Sequence, residues 1–317
     1  MLSQKVSVVI PTWNGRHYLT DCLQSLQRQS YPPDEIIVVD NGSTDGTREF
    51  LAEGYPDIFL IPVGINLGFS RAVNIGIGAA SGEIIVLLNN DTVCTPAWLE
   101  EIVKAAEAHP EVASFASKVM FRDKPNIIDS VGDEYTPWGM VFNRGHGEAD
   151  VGQYENEKEV FGPCAAAAAY RASLFTEAGI FDENFFAYYE DIDLAFRARL
   201  RGYRCLYVPR AVVYHHYSGS YGEVSKLGRE EVYLHLTALL IKNMPMPLLI
   251  KHALSIFFYH SLIFVFFLVA RLRKVNRMPR VPFFRLVKDA FRQRKQIQRS
   301  AAVNWRELEK NLVRRVK

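Results

Sequence analysis

Apolar positions along the chain alternate between two periods. Lys5–Ile10 is a short β-branched run stopped by Pro11, which predicts a buried strand. Leu19, Cys22, Leu23 and Leu26 then share one face of a helix from Tyr18 to Gln29. Glu35–Val39 predicts a second strand, ended by the turn Asp40-Asn41-Gly42-Ser43-Thr44-Asp45-Gly46 with a helix cap inside it. A helix over Thr47–Glu53, a strand near Ile58–Pro62 and a helix over Gly68–Ala80 follow. Next come a strand over Glu83–Leu88, stopped by Asn89-Asn90-Asp91-Thr92, and a helix over Trp98–Ala108. This spacing predicts βαβ units: an α/β fold with a mainly parallel sheet flanked by helices.

From about Val112 to Val160 the pattern loosens into Gly-, Asp- and Asn-rich sequence, read as strands and loops laid over the sheet. Order returns at Phe161–Arg171, at a helix over Glu190–Arg201 closed by Gly202, and at a strand around Cys205–Val208. A compositional boundary at Met244-Pro245-Met246-Pro247 divides the chain into a main domain, 1–243, and an extension, 244–317.

Charge sharpens that division. The net charge of +2 conceals 21 Lys/Arg against 32 Asp/Glu in residues 1–270, and 16 against 3 in residues 271–317. An acidic body with a basic tail points to a tail that seeks an anionic surface. The balance of 49% hydrophobic and 23% charged residues excludes a disordered or collagen-like chain. Cys22, Cys94, Cys164 and Cys205 form no CxxC pair and read as reduced core residues. The start, MLSQKVSVVIPTWNG, enters a strand at once and lacks the features of a secretory signal.

In an open parallel sheet, ligands bind beyond the carboxyl ends of the strands. Two such ends carry acidic turns here, at Asp40-Asn41-Gly42-Ser43 and at Asn89-Asn90-Asp91, although either alone is also an ordinary hydrogen-bonded turn. Gly76-Ile77-Gly78 lacks the third glycine of a dinucleotide fingerprint, and no GxxxxGK[ST] loop exists. Dehydrogenase and P-loop readings are therefore weak.

Five ordered motifs, SVVIPTWNG, IIVVDNGSTDGT, NLGFSRAVNIGI, IIVLLNND and YYEDIDLAFRARLRGYR, give residues 5–240 a clear relationship. The sequence resembles family 2 glycosyltransferases of the GT-A fold, with its Rossmann-like nucleotide-binding sheet. The Asn-Asn-Asp motif and the later Val-Tyr-His-His segment look most like bacterial rhamnosyltransferases of cell-wall and O-antigen assembly. The resemblance implies that Pro11, Thr12 and Asn14 line a nucleotide pocket. It implies that Asp40 accepts a hydrogen bond from the base, with Ser43 nearby, and that Asn66 and Arg71 lie near the diphosphate. Arg71 also reads as an ordinary surface charge on a helix.

Asn90-Asp91 takes the place of the family's DxD motif. Asp91 would hold Mg²⁺ or Mn²⁺ with help from substrate phosphates, and Asn90 would reach the ribose or the ion. His215 or His216 would complete the shell, and alignment on Ser218-Gly219-Ser220 favours His215. Glu190-Asp191 opens a helix, where acids also act simply as favourable charges at a helix N-terminus. By resemblance, Asp191 is the general base that takes the acceptor hydroxyl proton, and Glu190 orients the acceptor or Asp191 itself.

Ala253–Ala270 holds 18 residues without a charge and is followed by Arg271, Arg273, Lys274 and Arg277. The length suits a transmembrane span or, with Tyr259, His260 and Ser261 inside it, a buried core helix. A full span with this basic flank in the cytoplasm would put the main domain outside, away from nucleotide sugars. The expectation is therefore a membrane-associated helical extension that lies in, or re-enters, the cytoplasmic leaflet of the cell membrane. Phe283, Phe284, Phe291 and Trp305 look like faces of amphipathic helices, and no nucleic-acid module accompanies them. The reading is thus an inverting, metal-dependent rhamnosyltransferase, with a nucleotide-sugar donor (dTDP-L-rhamnose) and a lipid-linked or glycan acceptor. Its alternatives are a UDP-hexose transferase of the same fold and a non-catalytic nucleotide-sugar binder.

Overall fold

Strands β1 (Val6–Thr12) and β4 (Ile84–Leu88) are buried at every position, as strands covered on both faces must be. With β2 (Glu35–Asp40) and β3 (Phe59–Pro62) they form a parallel block in the order β3-β2-β1-β4. The links are helices α1 (Arg16–Gln27), α2 (Thr47–Gly54) and α3 (Phe69–Ala79). The structure, a computed structural model, describes residues 3–216, 228–272 and 283–314.

Side-chain alternation sorts this block into two cores. Val6, Val8, Ile10, Val38, Val86 and Leu88 pack on Leu19, Cys22, Leu23 and Leu26 of α1 and on Trp98, Leu99 and Ile102 of α4 (Trp98–Ala108). Val9, Ile37, Val39, Ile85 and Leu87 face the other way. They meet α3, α5 (Ala172–Ala178) and α6 (Glu190–Leu200). Pro11 does not stop β1 as its sequence suggests. The Thr12 carbonyl accepts the Asn41 N–H, so by alternation Pro11 turns its missing donor toward β4, where pairing has already ended at Val9.

The rest of the sheet departs from the expected parallel plan. After β5 (Thr92–Cys94), residues 112–160 are not merely an overlay. They supply β6 (Val112–Phe121), an interior strand nearly buried throughout, besides β7 (Ile128–Ser130), β8 (Asp133–Tyr135), β9 (Val141–Asn143) and β10 (Lys158–Val160). β11 (Ala167–Arg171) runs antiparallel between β4 and β6, and β12 (Arg204–His215) lies parallel to β6, with β10 antiparallel on its outer edge. The sheet is therefore mixed. Parallel pairing needs a crossover returning the chain to the starting end, and the stretch between β6 and β11 holds none. β12 is longer than its sequence suggests because it continues past an irregularity between Val208 and Val212.

Among the described residues five further helices follow: α7 (Gly228–Asn243), α8 (Met246–Lys251), α9 (Ala253–Leu272), α10 (Phe283–Arg299) and α11 (Trp305–Lys310). Leu239, Met244, Leu248, Ile297 and Leu308 join Tyr135, Phe161, Ile192 and Phe196 in one apolar cluster, so α7 and the extension pack together directly behind α6. A buried ionic knot reinforces the contact. Asp193 of α6 accepts from Arg197 (2.9 Å), from Lys242 of α7 (2.9 Å) and from Asn243 (2.8 Å). Lys242 also reaches Asp182 at 2.6 Å. Burial would raise the Asp193 carboxyl, but its two cations hold it down to about 2.

Among the described residues, no helix is long and apolar enough to cross a membrane. The first half of α9 nonetheless leaves Leu254 87% and Phe257 74% exposed, with Phe258 and Leu262 beside them. On its inner side Tyr259 stacks on Trp138, ring centroids 5.3 Å apart. Arg273, Lys274 and Arg277 of the basic flank lie outside the described residues, as do Ser218, Gly219 and Ser220.

Candidate active site

The carboxyl ends of β1 and β4 open into a cleft of about 1450 Å³. Its floor is built by close approach of two motifs. Asn90 Nδ2 donates to Thr12 Oγ1 at 2.8 Å, and its amide lies where a side chain on Gly15 would sit. Gly15 caps α1, so only glycine lets the Asn89-Asn90-Asp91 turn settle there. Asn14 adopts φ 51°, a left-handed conformation asparagine tolerates. It clasps the neighbouring turn by accepting from the Thr44 N–H (2.8 Å) and donating its own N–H to Ser43 Oγ (2.9 Å). Asn66 Oδ1 accepts from Asn41 Nδ2 (3.0 Å) and from the Gly68 N–H (2.9 Å), fixing the adjacent wall.

Asp91, buried at 2% exposure, faces His215 at the end of β12, with Nε2 3.4 Å from Oδ1. The other ring nitrogen, Nδ1, is held by Asp129 at 2.8 Å, and His146 lies 3.3 Å from the same carboxylate. Burial opposes charge on His215, yet its bonds to Asp129 and Asp91 prevail and raise its pKa to about 10. Burial likewise works against Asp129, but the two imidazoles leave it below the usual aspartate range. His216 points elsewhere, its ring 5.2 Å from Tyr18 and 3.7 Å from Asp123. Between the two histidines, His215 is the one on the cleft.

With the Nε2 proton of His215 displaced, a carboxylate-held imidazole facing a second carboxylate is suited to a hard or borderline divalent ion. Among the described residues, no group of three or more His, Cys, Asp or Glu is arranged to hold an ion by itself. An ion at Asp91 and His215 would thus need further oxygen ligands from substrate phosphate or water. Among the described residues, seven acidic side chains and two permanent cations, Arg144 and Lys158, line the cleft. Such a surface binds a diphosphate only with added positive charge.

Asp191 stands in the first turn of α6. Its Oδ2 accepts from the Ala165 N–H at 3.2 Å and its Oδ1 from the Ile192 N–H at 2.8 Å. The next carbonyl, of Ala166, accepts from the Asn89 N–H at 2.9 Å, so one short segment ties Asp191 to the Asp91 turn. Burial raises the Asp191 pKa despite those donors. Glu190 is buried and has no hydrogen-bond partner on Oε2; burial, then the Asp191 charge, raises it well above the usual range. Asp133 on β8 is raised likewise, by burial and by Asp191, Asp129 and Glu134. Tyr188 and Tyr189, which enter α6, both lie at left-handed φ (72° and 68°), a conformation costly for tyrosine. This strain is concentrated where the chain presents Glu190 and Asp191 to the cleft.

Pro11, Thr12, Asn14, Asn66, Asn90, Asp91, His215, Glu190 and Asp191 therefore meet on one cleft. Asp40, Ser43 and Arg71 do not line it. Asp40 is fully buried, paired with Arg48 and accepting from the Ser43 N–H at 3.0 Å, so it braces the turn from behind. Arg71 sits 3.6 Å from Glu183 with both side chains about half exposed. Asp129, Asp133, His146 and the two tyrosines are site residues that the sequence reading omits. Only Tyr188 and Tyr189 had a signal, as the residues directly before Glu190.

The model of Glycosyl transferase family 2 matches residues 7–178, and the chain belongs to that family. An N-acetylglucosaminyl-diphospho-decaprenol L-rhamnosyltransferase of Mycobacterium tuberculosis is 28% identical over 248 residues, 70% of this chain and 79% of that one. Among solved structures, GalNAc-T7 with UDP, GalNAc and Mn²⁺ superposes with a TM-score of 0.63 at 15% identity, over 92% of this chain and 56% of that one. The mannosyltransferase PcManGT from Pyrobaculum calidifontis, in complex with GDP-Man and Mn²⁺, gives 0.51 at 22%, over 94% and 84%. These two likenesses establish the fold: α/β, GT-A-like, with a mixed central sheet.

Proposed function

We propose that this glycosyltransferase is an inverting enzyme. It moves L-rhamnose from dTDP-L-rhamnose to a lipid-linked or polysaccharide acceptor in bacterial cell-envelope glycan synthesis. The observation that carries the reading is Asp191, a half-buried carboxylate of raised pKa on the cleft, joined through Ala165–Ala166 to the turn bearing Asp91. The choice of sugar is supported by the mycobacterial rhamnosyltransferase.

Pro11, Thr12, Asn14, Asn66 and Asn90 cradle the nucleotide, while Asp40 and Ser43 act indirectly by holding the turn that Asn14 clasps. Asp91 and His215 would hold Mg²⁺ or Mn²⁺, with Asp129 fixing the imidazole. When bound, the ion neutralises charge on the departing nucleoside diphosphate. Asp191 removes the acceptor hydroxyl proton as that oxygen bonds to the anomeric carbon and the carbon–phosphate oxygen bond breaks. Glu190, whose pKa burial and the neighbouring Asp191 charge raise well above the usual range, orients the acceptor or Asp191. Residues 1–243 serve as the catalytic unit and 244–317 as the extension that attaches it to the cytoplasmic face of the cell membrane. The exposed apolar side chains of α9 support that attachment.

The test is nucleotide release and sugar transfer by the purified protein over a donor panel with and without Mg²⁺ or Mn²⁺. Metal-dependent turnover of dTDP-L-rhamnose is expected. Preference for a UDP-hexose would overturn the donor assignment, and binding without turnover of any donor would overturn the catalytic one.

A further inference from the structure

Helix α10 sorts its side chains in a way the catalytic reading leaves unexplained. Leu286, Ala290 and Ile297 are buried. Arg294 turns inward and donates to the carbonyls of Ile241 (2.6 Å) and Met244 (2.7 Å), while Gln298 donates to that of Asn243 (2.7 Å). The helix is thereby locked onto the end of α7. On its outer side Arg285, Lys288 and Arg292 line a groove of about 640 Å³ closed by Asn184, with Phe284 at its edge. These three cations make no ion pair among the described residues, and the one acid in the groove is Asp289. Phe284 (85% exposed) and Phe291 stand in water beside them.

We propose that this groove seats the phosphate headgroup of an anionic phospholipid, with Phe284 and Phe291 entering the bilayer interface alongside. The proposal rests on the membrane attachment above and deepens it. Unpaired cations attract any phosphate, but phenylalanines held in water beside them gain only where an apolar phase adjoins the charge. That combination favours a bilayer over a free anion or a nucleic acid backbone. The groove also touches the catalytic segment from behind. Asn184 donates twice to Asp182 (3.0 and 2.9 Å), which Lys242 anchors, and the same segment continues through Phe186 to Tyr189 along the cleft wall. A headgroup in the groove therefore holds the catalytic rim at the membrane surface that delivers a lipid-borne acceptor.

The experiment is vesicle flotation of the full chain on phosphatidylcholine with and without phosphatidylglycerol, comparing R285Q/K288Q/R292Q with K295Q/R299Q on the same helix. Lys295 and Arg299 are exposed but do not line the groove. The triple variant should lose about a hundredfold in affinity for the anionic vesicles, and the double variant only a few-fold. Transfer to a soluble acceptor in detergent should survive in the triple variant, and transfer to a vesicle-borne acceptor should fall. Equal losses per charge removed, or wild-type flotation by the triple variant, would overturn the groove. So would duplex DNA displacing the protein from anionic vesicles. Absence of any transfer by the wild type would count against the enzyme assignment alone, because flotation reads the groove independently.

Discussion

Burial raises the pKa of three carboxylates at the α6 end of the cleft, Asp133, Glu190 and Asp191, against unequal opposition. Asp191 receives two backbone N–H groups that oppose the upward shift, whereas Glu190 has an unpartnered Oε2 and is raised further. For Glu190 and Asp133 the folded-state pKa lies above the unfolded value. Their contribution to stability is complete below the unfolded pKa and is lost as pH rises through the folded one. Glu190→Gln and Asp133→Asn should therefore stabilise the protein near neutral pH by about 1–2 kcal/mol, read as a higher Tm, while transfer falls in Glu190→Gln. For Asp191 the raised pKa places the acid limb of kcat/KM above the ordinary aspartate range. A pH–rate profile whose acid limb sits at or below that range would remove Asp191 from the role. Glu190 and Asp191 were legible because they belong to a long motif that resembles one of the family's. Asp129 and Asp133 were not, since they lie on three-residue strands too short for a pattern.

Among the elements, α6 carries the most consequence, because it joins the proposed catalytic residues Glu190 and Asp191 to the C-terminal helices. The Asp193–Lys242 contact closes between residues almost fifty positions apart, which no local pattern reveals. Lys242→Ala should cost about 3–5 kcal/mol, as breaking a buried ion pair does, measured by denaturant unfolding. Since Asp193 is depressed to about 2, its contribution is present above the unfolded aspartate pKa and lost as pH falls through about 2. Gly15→Ala should displace the Asn90 amide and weaken donor binding, read by calorimetry, with little loss of overall stability. The alternating elements from β1 to α4 were legible because each buries one face against a sequence neighbour. β6, β11 and β12 were not, because β6–β12 pairing joins Val112 to Arg204 and their direction depends on connections that have no local signal.

At the scale of the molecule, the near-neutral net charge is the sum of two opposed parts, an acidic body around the cleft and a basic extension packed behind α6. The C-terminal helices bury one side against the body and leave Leu254, Phe257, Phe284 and Phe291 exposed, which supports the proposed attachment to a membrane surface. Phe257→Asp with Phe258→Asp should shift the protein from the membrane to the soluble fraction without changing transfer to a soluble acceptor. Continued pelleting of that variant would contradict attachment through α9. The most direct test of the account compares wild type and Asp191→Asn in parallel, measuring sugar transfer and donor affinity on the same preparations. The account predicts transfer reduced by about a hundredfold or more with donor affinity unchanged; wild-type turnover by Asp191→Asn would contradict it.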